Sequence, residues 1–509
     1  MAIVITSPNN FSFPVGLAIT SQFIATGGFP PYRFSTQSAL PTGVKLLSNG
    51  RITGIPTANQ VRTIILSARD TKNAIVSKSI TIRTVPLPVG SALLSWGFSL
   101  NGELGTNAPV DKMDSPVHVG TNLNWRNVDA GFSVGGGIKA DGTLWMWGKN
   151  SYGTLGNNRS INVKSPVQTI ARGKNWKEVN IAYHVAAIKT DGTLWMWGEG
   201  SYGQLGNNQS VSQTLNKVNQ SSPVQNISFG NKWKKGSCGS FHEAAVKKDG
   251  SLWIRGSNAY GGAGIAKSSP IQTIAFGTNW KQASCGNFHT AAIKTDGTLW
   301  CWGDNSYGQL GTNSVKPVSS PIQTIAGGNN WKQVACGHFH TAAIKNDGTL
   351  WLWGKNDNFI PDRHKGALGD NTTIDRSSPV QTIAGGNNWK QVSCGFSFTA
   401  ATKTDGTLWL WGDNGYGELG INNTINKSSP VQTISGGTNW NKIDCGLEYM
   451  SAIKTDGTLW LWGYNYYGQL GDSFMSYSTS SPVQTIMRGT GWIDVSAGAA
   501  HTSAIYKTV

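Results

Sequence analysis

The sequence predicts an all-β protein in two parts: a small antiparallel β-sandwich over residues 1–85, and a β-propeller of eight four-stranded blades over residues 91–509. Three observations carry that expectation. The phrase Asp141-Gly142-Thr143-Leu144-Trp145-Met146-Trp147-Gly148 returns six times, from Asp191, Asp249, Asp296, Asp347, Asp405 and Asp456, at intervals of 47–58 residues, a spacing typical of propeller blades and arrays. All 22 Trp lie beyond residue 95, so the chain before them is a different kind of unit. The repeat region opens on a strand without a hairpin, 92–97, and closes on one that lacks its Asp-Gly-Thr-Leu-Trp partner, 501–507. Pairing the two removes the last free sheet edges, which is the physical reason for a ring to interlock its ends.

The elements follow in order. AIVIT, VRTIILSAR and VSKSITIRT alternate as half-buried strands, and the clusters GGFPPY, LPTGV, SNGRI and GIPT break them as turns, giving a sandwich. Residues 86–90, PLPVG, read as a short stiff linker. In each repeat an apolar stretch ending in Lys, such as 291–294 and 342–345, meets the Asp-Gly pair, the signature of a type I′ hairpin turn. Eight positions take the WG slot (Trp96, Trp147, Trp197, Arg255, Trp302, Trp353, Trp411, Trp462) and eight Trp open a strand (Trp125, Trp176, Trp233, Trp280, Trp331, Trp389, Trp440, Trp492). With the seven of the LW slot they account for every Trp, so the count fixes eight blades and leaves none for a special site. Along a strand such as Leu299–Trp302 the Trp face one way and Leu299 and Cys301 the other, so neighbouring blades should cover both faces.

Composition narrows the function classes. Only 13% of the 509 residues are charged, 38% are apolar, and the net charge is +16, of which residues 1–90 carry +7 with a single acid, Asp70. No apolar run approaches the roughly 20 residues that span a bilayer, so membrane insertion is not expected. The start, MAIVITSPNNFSFPVG, does not read as a secretory leader.

The candidate chemical residues repeat, and repetition dilutes them. Cys238, Cys285, Cys336, Cys394 and Cys445 share one slot with Ala130, Ile181 and Ala497, as buried free thiols would rather than disulfides or ligands. His184, His242, His289, His340 and His501 share theirs with Val134, Phe398 and Tyr449, which no zinc ligand could; turn stabilisation is the expectation. No nucleophile elbow, phosphate loop, HExxH or calcium loop occurs. We expect no enzyme activity, no metal and no cofactor.

Strand direction sorts two faces. The Asp-Gly hairpins and the turns before each strand-opening Trp share one end. There lie the pre-turn Lys139, Lys189, Lys294, Lys345 and Lys454 with Lys247, Lys403 and Lys507, and the cations after the opening Trp, Arg126, Lys177, Lys234, Lys281, Lys332 and Lys390. An anionic partner would be drawn there; the simpler reading is that each pre-turn Lys neighbours its own turn Asp. At the opposite end three loops break the repeat, 207–221, 355–366 and 464–479. Irregular loops on a rigid scaffold are the usual site of recognition. Their anchor-type residues, Tyr464, Tyr466, Phe474, Met475 and Tyr477 with Phe359, Arg363 and His364, are the candidate partner-binding set.

Two family resemblances attach to these residues. The string from Gly27 to Gln60, with its LPTGVKLLSNGRITGIPT core, resembles the immunoglobulin-like modules of bacterial surface and phage virion proteins; it lacks the Cys and Trp of antibody domains. The WG slot, the YGQLG at 202–206, 307–311 and 467–471, and the CGxxHTAAI at 285–293 and 336–344 resemble the regulator of chromosome condensation repeat family. That resemblance implies a propeller, usually of seven blades, against the eight counted here. It brings an exchange factor for small GTPases and a β-lactamase inhibitor protein as alternatives. No residue here carries the former, and the latter needs an aromatic face that only the loop 464–479 approaches. The plant UV-B receptors share the repeat, but their GWRHT is CGxFHT here. The resulting expectation is a structural or binding protein of a phage particle, in its tail, fibre or baseplate region. The sandwich would join other virion proteins, and the propeller would meet a host receptor or a neighbouring virion protein. Nucleic acid is not an expected partner, and a bacterial surface or extracellular location is the alternative.

Overall fold

The computed structural model describes the whole chain except residues 1, 8, 16–18, 86–89, 109, 207–218, 226–231, 258–266, 274–276, 358–364, 474–475 and 509. Among the described residues there is no helix. The first part pairs a four-stranded sheet (Asn10–Pro14, Ile75–Val85, Gln60–Arg69, Arg33–Thr36) with a three-stranded one (Ile19–Gln22, Arg51–Gly54, Val44–Leu46). Its alternating strands turn Ile52, Ile64, Leu66, Ile80 and Ile82 into a dry core. The LPTG and GIPT turns touch through glycine: a Cβ on Gly43, at φ 85°, would lie 1.9 Å from the Ile55 carbonyl oxygen, so only Gly fits.

The second part is eight four-stranded sheets. Blade 1, numbered first because the chain both opens and closes it, runs from the centre outward as Trp492–Ala497, His501–Thr508, Gly90–Phe98 and Lys112–His118. Blade 2 is the meander Trp125–Ala130, Val134–Lys139, Leu144–Gly148, Val163–Gln168, and blades 3 to 8 repeat it from Trp176, Trp233, Trp280, Trp331, Trp389 and Trp440. The expected closure is present: Gly90 to Gly97 pair with Thr508 to His501 in an unbroken antiparallel register. Gly90, expected at the end of a linker, is already in the ladder; the remainder of that segment, 86–89, lies outside the described residues.

The hairpin turn differs from the type I′ expectation. Lys139 N donates to Thr143 O, Gly142 N donates to Lys139 O, and only Gly142 takes a positive φ, 80°. This is a type I turn ending on a left-handed Gly. The reason lies in the next residue: the Asp141 carboxylate accepts from Thr143 N (3.0 Å) and Thr143 Oγ1 (2.7 Å), an Asx-type closure at Asp's ordinary φ. Trp145 Nε1 then donates to the same Thr Oγ1 (2.9 Å), so each letter of Asp-Gly-Thr-Leu-Trp has a partner.

Packing between blades is alternation made concrete. Ile293, Leu299 and Cys301 of blade 5 bury against Trp331, Val334 and Trp353 of blade 6. The WG Trp also staples: Trp353 Nε1 donates to Gln309 O of the blade before it (2.9 Å), and Trp96, Trp147, Trp197, Trp411 and Trp462 do the same. Within a blade, Trp331 and Trp353 meet edge-on at 6.2 Å.

Three of the histidines expected to steady their own turns pack on those turns and bridge blades as well. Nε2 of His242, His289 and His340 lies 2.9–3.0 Å from Thr290, Thr341 and Thr399 of the next blade. Each ring also lies on its own turn: a Cβ on Gly239, Gly286 or Gly337 would meet Cε1 of His242, His289 or His340 at 2.4–2.8 Å. Complete burial pulls their pKa values down to about 3–4, so they stay neutral.

Among the described residues, a charge pair and an apolar contact tie the two parts. Arg51 reaches both carboxylate oxygens of Asp114, the slot where most blades have Ser, and Ile55 packs against the blade 1 core.

Candidate functional site

The loop face of blade 8 gathers tyrosines that the repeat does not require. Its loop is organised by buried Asn465, whose Oδ1 accepts from Leu470 N (3.0 Å) and whose N donates to Tyr477 O (2.9 Å). Because Asn465 turns inward, Tyr464 and Tyr466 on either side turn outward beside Tyr477. Tyr464 lies 5.4 Å from Tyr477 and 4.8 Å from Tyr416 of blade 7. Tyr466 lies 5.0 Å from Tyr467, which meets Phe98 of blade 1 at 4.8 Å. Lys112 donates to Tyr466 O and sits 5.1 Å from its ring. The result is one aromatic patch across blades 7, 8 and 1, with Tyr466 50% and Tyr477 56% exposed.

The patch is flanked by carboxylates. The Lys365–Asp413 ion pair lies at its blade 7 edge. Burial, helped by Asp413, pushes the Glu418 carboxyl up to about 8, and burial and Glu448 push the Tyr416 hydroxyl up to about 12. Tyr416 therefore remains a neutral hydrogen-bonding group across the physiological range, as does Tyr464, whose hydroxyl burial also pushes up.

Of the candidate set, Tyr464, Tyr466 and Tyr477 come together here. Phe474, Met475, Phe359, Arg363 and His364 lie outside the described residues. A second aromatic feature went unread. Phe132, Tyr183, Phe241 and Phe288 stand around the channel mouth in nearly parallel planes 4.8–5.8 Å apart. For Phe241 and Phe288 the sequence signal is the Phe of CGxFH; Phe132 and Tyr183 lie outside that pattern.

Below that mouth the Cys slot lines a channel recess of about 280 Å³ together with the glycines that follow it. All six Cys are free thiols. Cys238, Cys285, Cys336, Cys394 and Cys445 are half-buried channel lining rather than fully buried. Burial pushes the thiols of Cys285 and Cys336 up to about 12, which makes them poor nucleophiles. One residue deeper, Ser237 and Ser284 accept from the Cys285 and Cys336 N–H of the next blade, and Asp129 and Asp444 make the same clasp to Ile181 and Ala497. Among the described residues no His, Cys, Asp and Glu cluster could hold a metal.

The pre-turn lysines of the hairpin face are held on aromatic rings. Lys139, Lys189, Lys294, Lys345 and Lys454 lie over paired Trp rings; Lys345 Nζ is 4.8 Å from the centroid of Trp331 and 4.6 Å from that of Trp351. Trp, with the turn Asp nearby, is thus the main partner of these side chains. Arg255, the exception in the WG slot, pairs with Glu243 at 2.8 Å, both dry. Glu243 stands where blades 1, 5, 6 and 7 have Thr, so two departures from the repeat compensate each other.

Fold and faces together define a ring of repeats with an appended sandwich, whose individual chemistry is confined to its two rims. The chain belongs to the RCC1-like domain family, matched over residues 82–360 and 236–508, and residues 2–85 match the He_PIG family of Ig domains. Among curated relatives it is 31% identical over 176 residues to the ultraviolet-B receptor UVR8 of Arabidopsis thaliana, spanning 34% of this chain and 38% of that protein. It is 33% identical over 135 residues to the RCC2 homolog of Xenopus laevis, spanning 26% of this chain and 25% of that one. The matched segments thus cover well under half the length of these relatives. Among solved structures, human WBSCR16 superposes with TM-score 0.58 at 20% identity over 82% of this chain and 99% of its own. Yeast RCC1 (Prp20) bound to Kap60 gives 0.56 at 16% identity over 83% and 91%. These likenesses concern the fold. Among the described residues no helix is long and apolar enough to cross a membrane.

Proposed function

We propose that this protein is a non-enzymatic binding and structural component of a phage particle, in its tail, fibre or baseplate region. The sandwich is the attachment module, and the propeller is the platform that meets a host receptor or a neighbouring virion protein. The observation that carries the reading is the tyrosine patch. The repeat accounts for the Trp, Cys, His and pre-turn Lys residues, whereas Tyr464, Tyr466 and Tyr477 depart from it, and Tyr466 and Tyr477 expose half or more of their area at the loop face. Exposed aromatic clusters of this kind mark interaction sites. The sandwich's likeness to surface and virion modules supports the particle setting. The test is to raise antibodies to the purified protein and label phage particles in negative stain, alongside binding of the protein to bacterial cells with Tyr466→Ala and Tyr477→Ala combined. Label on one end of the particle and loss of cell binding in the variant are expected. Unlabelled particles that demonstrably lack the chain would end the virion reading.

A further inference from the structure

The sandwich keeps one face open to solvent. In its four-stranded sheet Ile64, Leu66, Ile80 and Ile82 turn into the core, so the residues between them turn outward, and Arg33 and Ser35 continue that outer face on the neighbouring strand. Arg51 and Ile55, which meet the propeller, belong to the other sheet and the turn after it. Register sets Arg33 directly opposite Arg69, and Arg69 opposite Ile75. The next row is Ser35, Ser67 and Ser77, and the one after it pairs Ile65 with Ser79. Directly opposed residues stand about 5 Å apart at Cβ, where like charges destabilise a sheet. Neither Arg33 nor Arg69 has an ion pair among the described residues. The single acid of residues 1–90, Asp70, is buried and accepts hydrogen bonds from the N–H groups of Phe29, Lys72 and Ala74. The domain therefore carries a costly arginine pair that none of its own groups neutralises.

We propose that this outer face docks an acidic segment of another protein, its carboxylates gripped between Arg33 and Arg69 and its apolar side chains laid against Ile65 and Ile75. Charge selects the partner's sign: residues 1–90 carry +7, and two adjacent guanidinium forks match planar carboxylates. Apolar exposure selects its class. Ile65 and Ile75 are 51% and 54% exposed, and leaving water favours them only against apolar groups, which a peptide supplies and a sugar or phosphate backbone does not. The outward residues of these three strands include no aromatic ring on which a base could stack. Phe29, exposed in the turn nearby, already carries Lys72 Nζ 3.7 Å above its ring. The same face of a second copy would bring arginine against arginine.

This rests on reading the sandwich as the attachment module. Its test needs no particle, so an inert face and an unlabelled particle are separate results. Binding of the full chain would be measured to poly-L-glutamate, to a copolymer of glutamate and leucine, and to a DNA duplex at matched charge, with sedimentation of the chain alone. Arg33→Thr with Arg69→Thr should bind the copolymer about tenfold more weakly and melt at or above the parent temperature, because the opposed charges are gone. Ile65→Ser with Ile75→Ser should lose the preference for the copolymer over polyglutamate. Lys332→Glu with Lys390→Glu, on the propeller rim, should retain most binding. Equal loss in the arginine and rim variants, no loss in the arginine variant, or a lowered melting temperature for it would overturn the proposal. So would an arginine variant that loses DNA while keeping the copolymer, or a parent dimer that the arginine variant dissolves, since these assign the face to nucleic acid or to a second copy.

Discussion

At the residue scale, the informative positions are those where two departures from the repeat answer each other. Glu243 and Arg255 form a buried ion pair in slots that are Thr in four blades and Trp in the other seven, respectively. Removing one partner strands a buried charge, so Glu243→Thr alone should destabilise by about 3–5 kcal/mol. Glu243→Thr with Arg255→Trp restores the common pattern and should melt at or above the parent temperature; a double variant as unstable as the single would refute this compensation. The thiols are the opposite case. Cys285 and Cys336 share their slot with Ala elsewhere, so Cys285→Ala and Cys336→Ala should each change stability by about 1 kcal/mol, read from denaturant midpoints. The sequence shows both slots plainly. It does not show that Glu243 answers Arg255, because register partners across a hairpin become neighbours only once the strand pairing is known.

At the element scale, closure is the claim with most leverage. The strand Gly90–Phe98 is paired on both sides, to His501–Thr508 and to Lys112–His118. Deleting residues 91–98 should therefore open two sheet edges and lower the melting temperature markedly; an unchanged melt would contradict the closure. This element was legible because each chain end lacked what the other supplied. The turn type was not, since Asp-Gly serves two hairpin geometries and the deciding bonds come from Thr143. Nor was the role of the pre-turn Lys. Trp125 and Trp145 approach Lys139 only when three strands lie side by side, a relation that spacing alone does not express.

At the scale of the whole molecule, buried titratable groups set the pH response. His118, His184, His242, His289, His338, His340 and His501 are held down to about 3–4 by burial. As pH falls below about 6.5 the unfolded chain takes up these protons and the folded one does not, so stability falls. Asp129, Asp444 and Glu418, pushed up to about 7, 6 and 8, act in the opposite sense: the folded state holds their protons, and stability falls as pH rises through those values. Burial also raises Glu103, Glu199, Glu243 and Glu448, so the seven histidines and seven carboxyls oppose each other below about pH 6.5 and only the carboxyls act above it; thermal stability should therefore fall as pH rises from about 6.5 to 8. His340→Phe, the residue blade 7 carries in that slot, should remove about one proton from the acid slope. A flat profile between pH 4.5 and 8 would contradict the burial of these groups.

The ring presents two rims of different chemistry, and its central functional claim concerns the aromatic one. The most direct measurement is equilibrium binding of the purified chain to intact bacterial cells or isolated virion neighbours across a salt series, comparing the parent with Tyr466→Ala, Tyr477→Ala combined. Contacts made by neutral rings survive screening that removes exposed charge contacts. The parent should keep its binding at high salt, and the double variant should lose about tenfold or more at low and high salt alike. Undiminished high-salt binding by the double variant, or parent binding that vanishes as salt rises, would contradict recognition through the tyrosine patch.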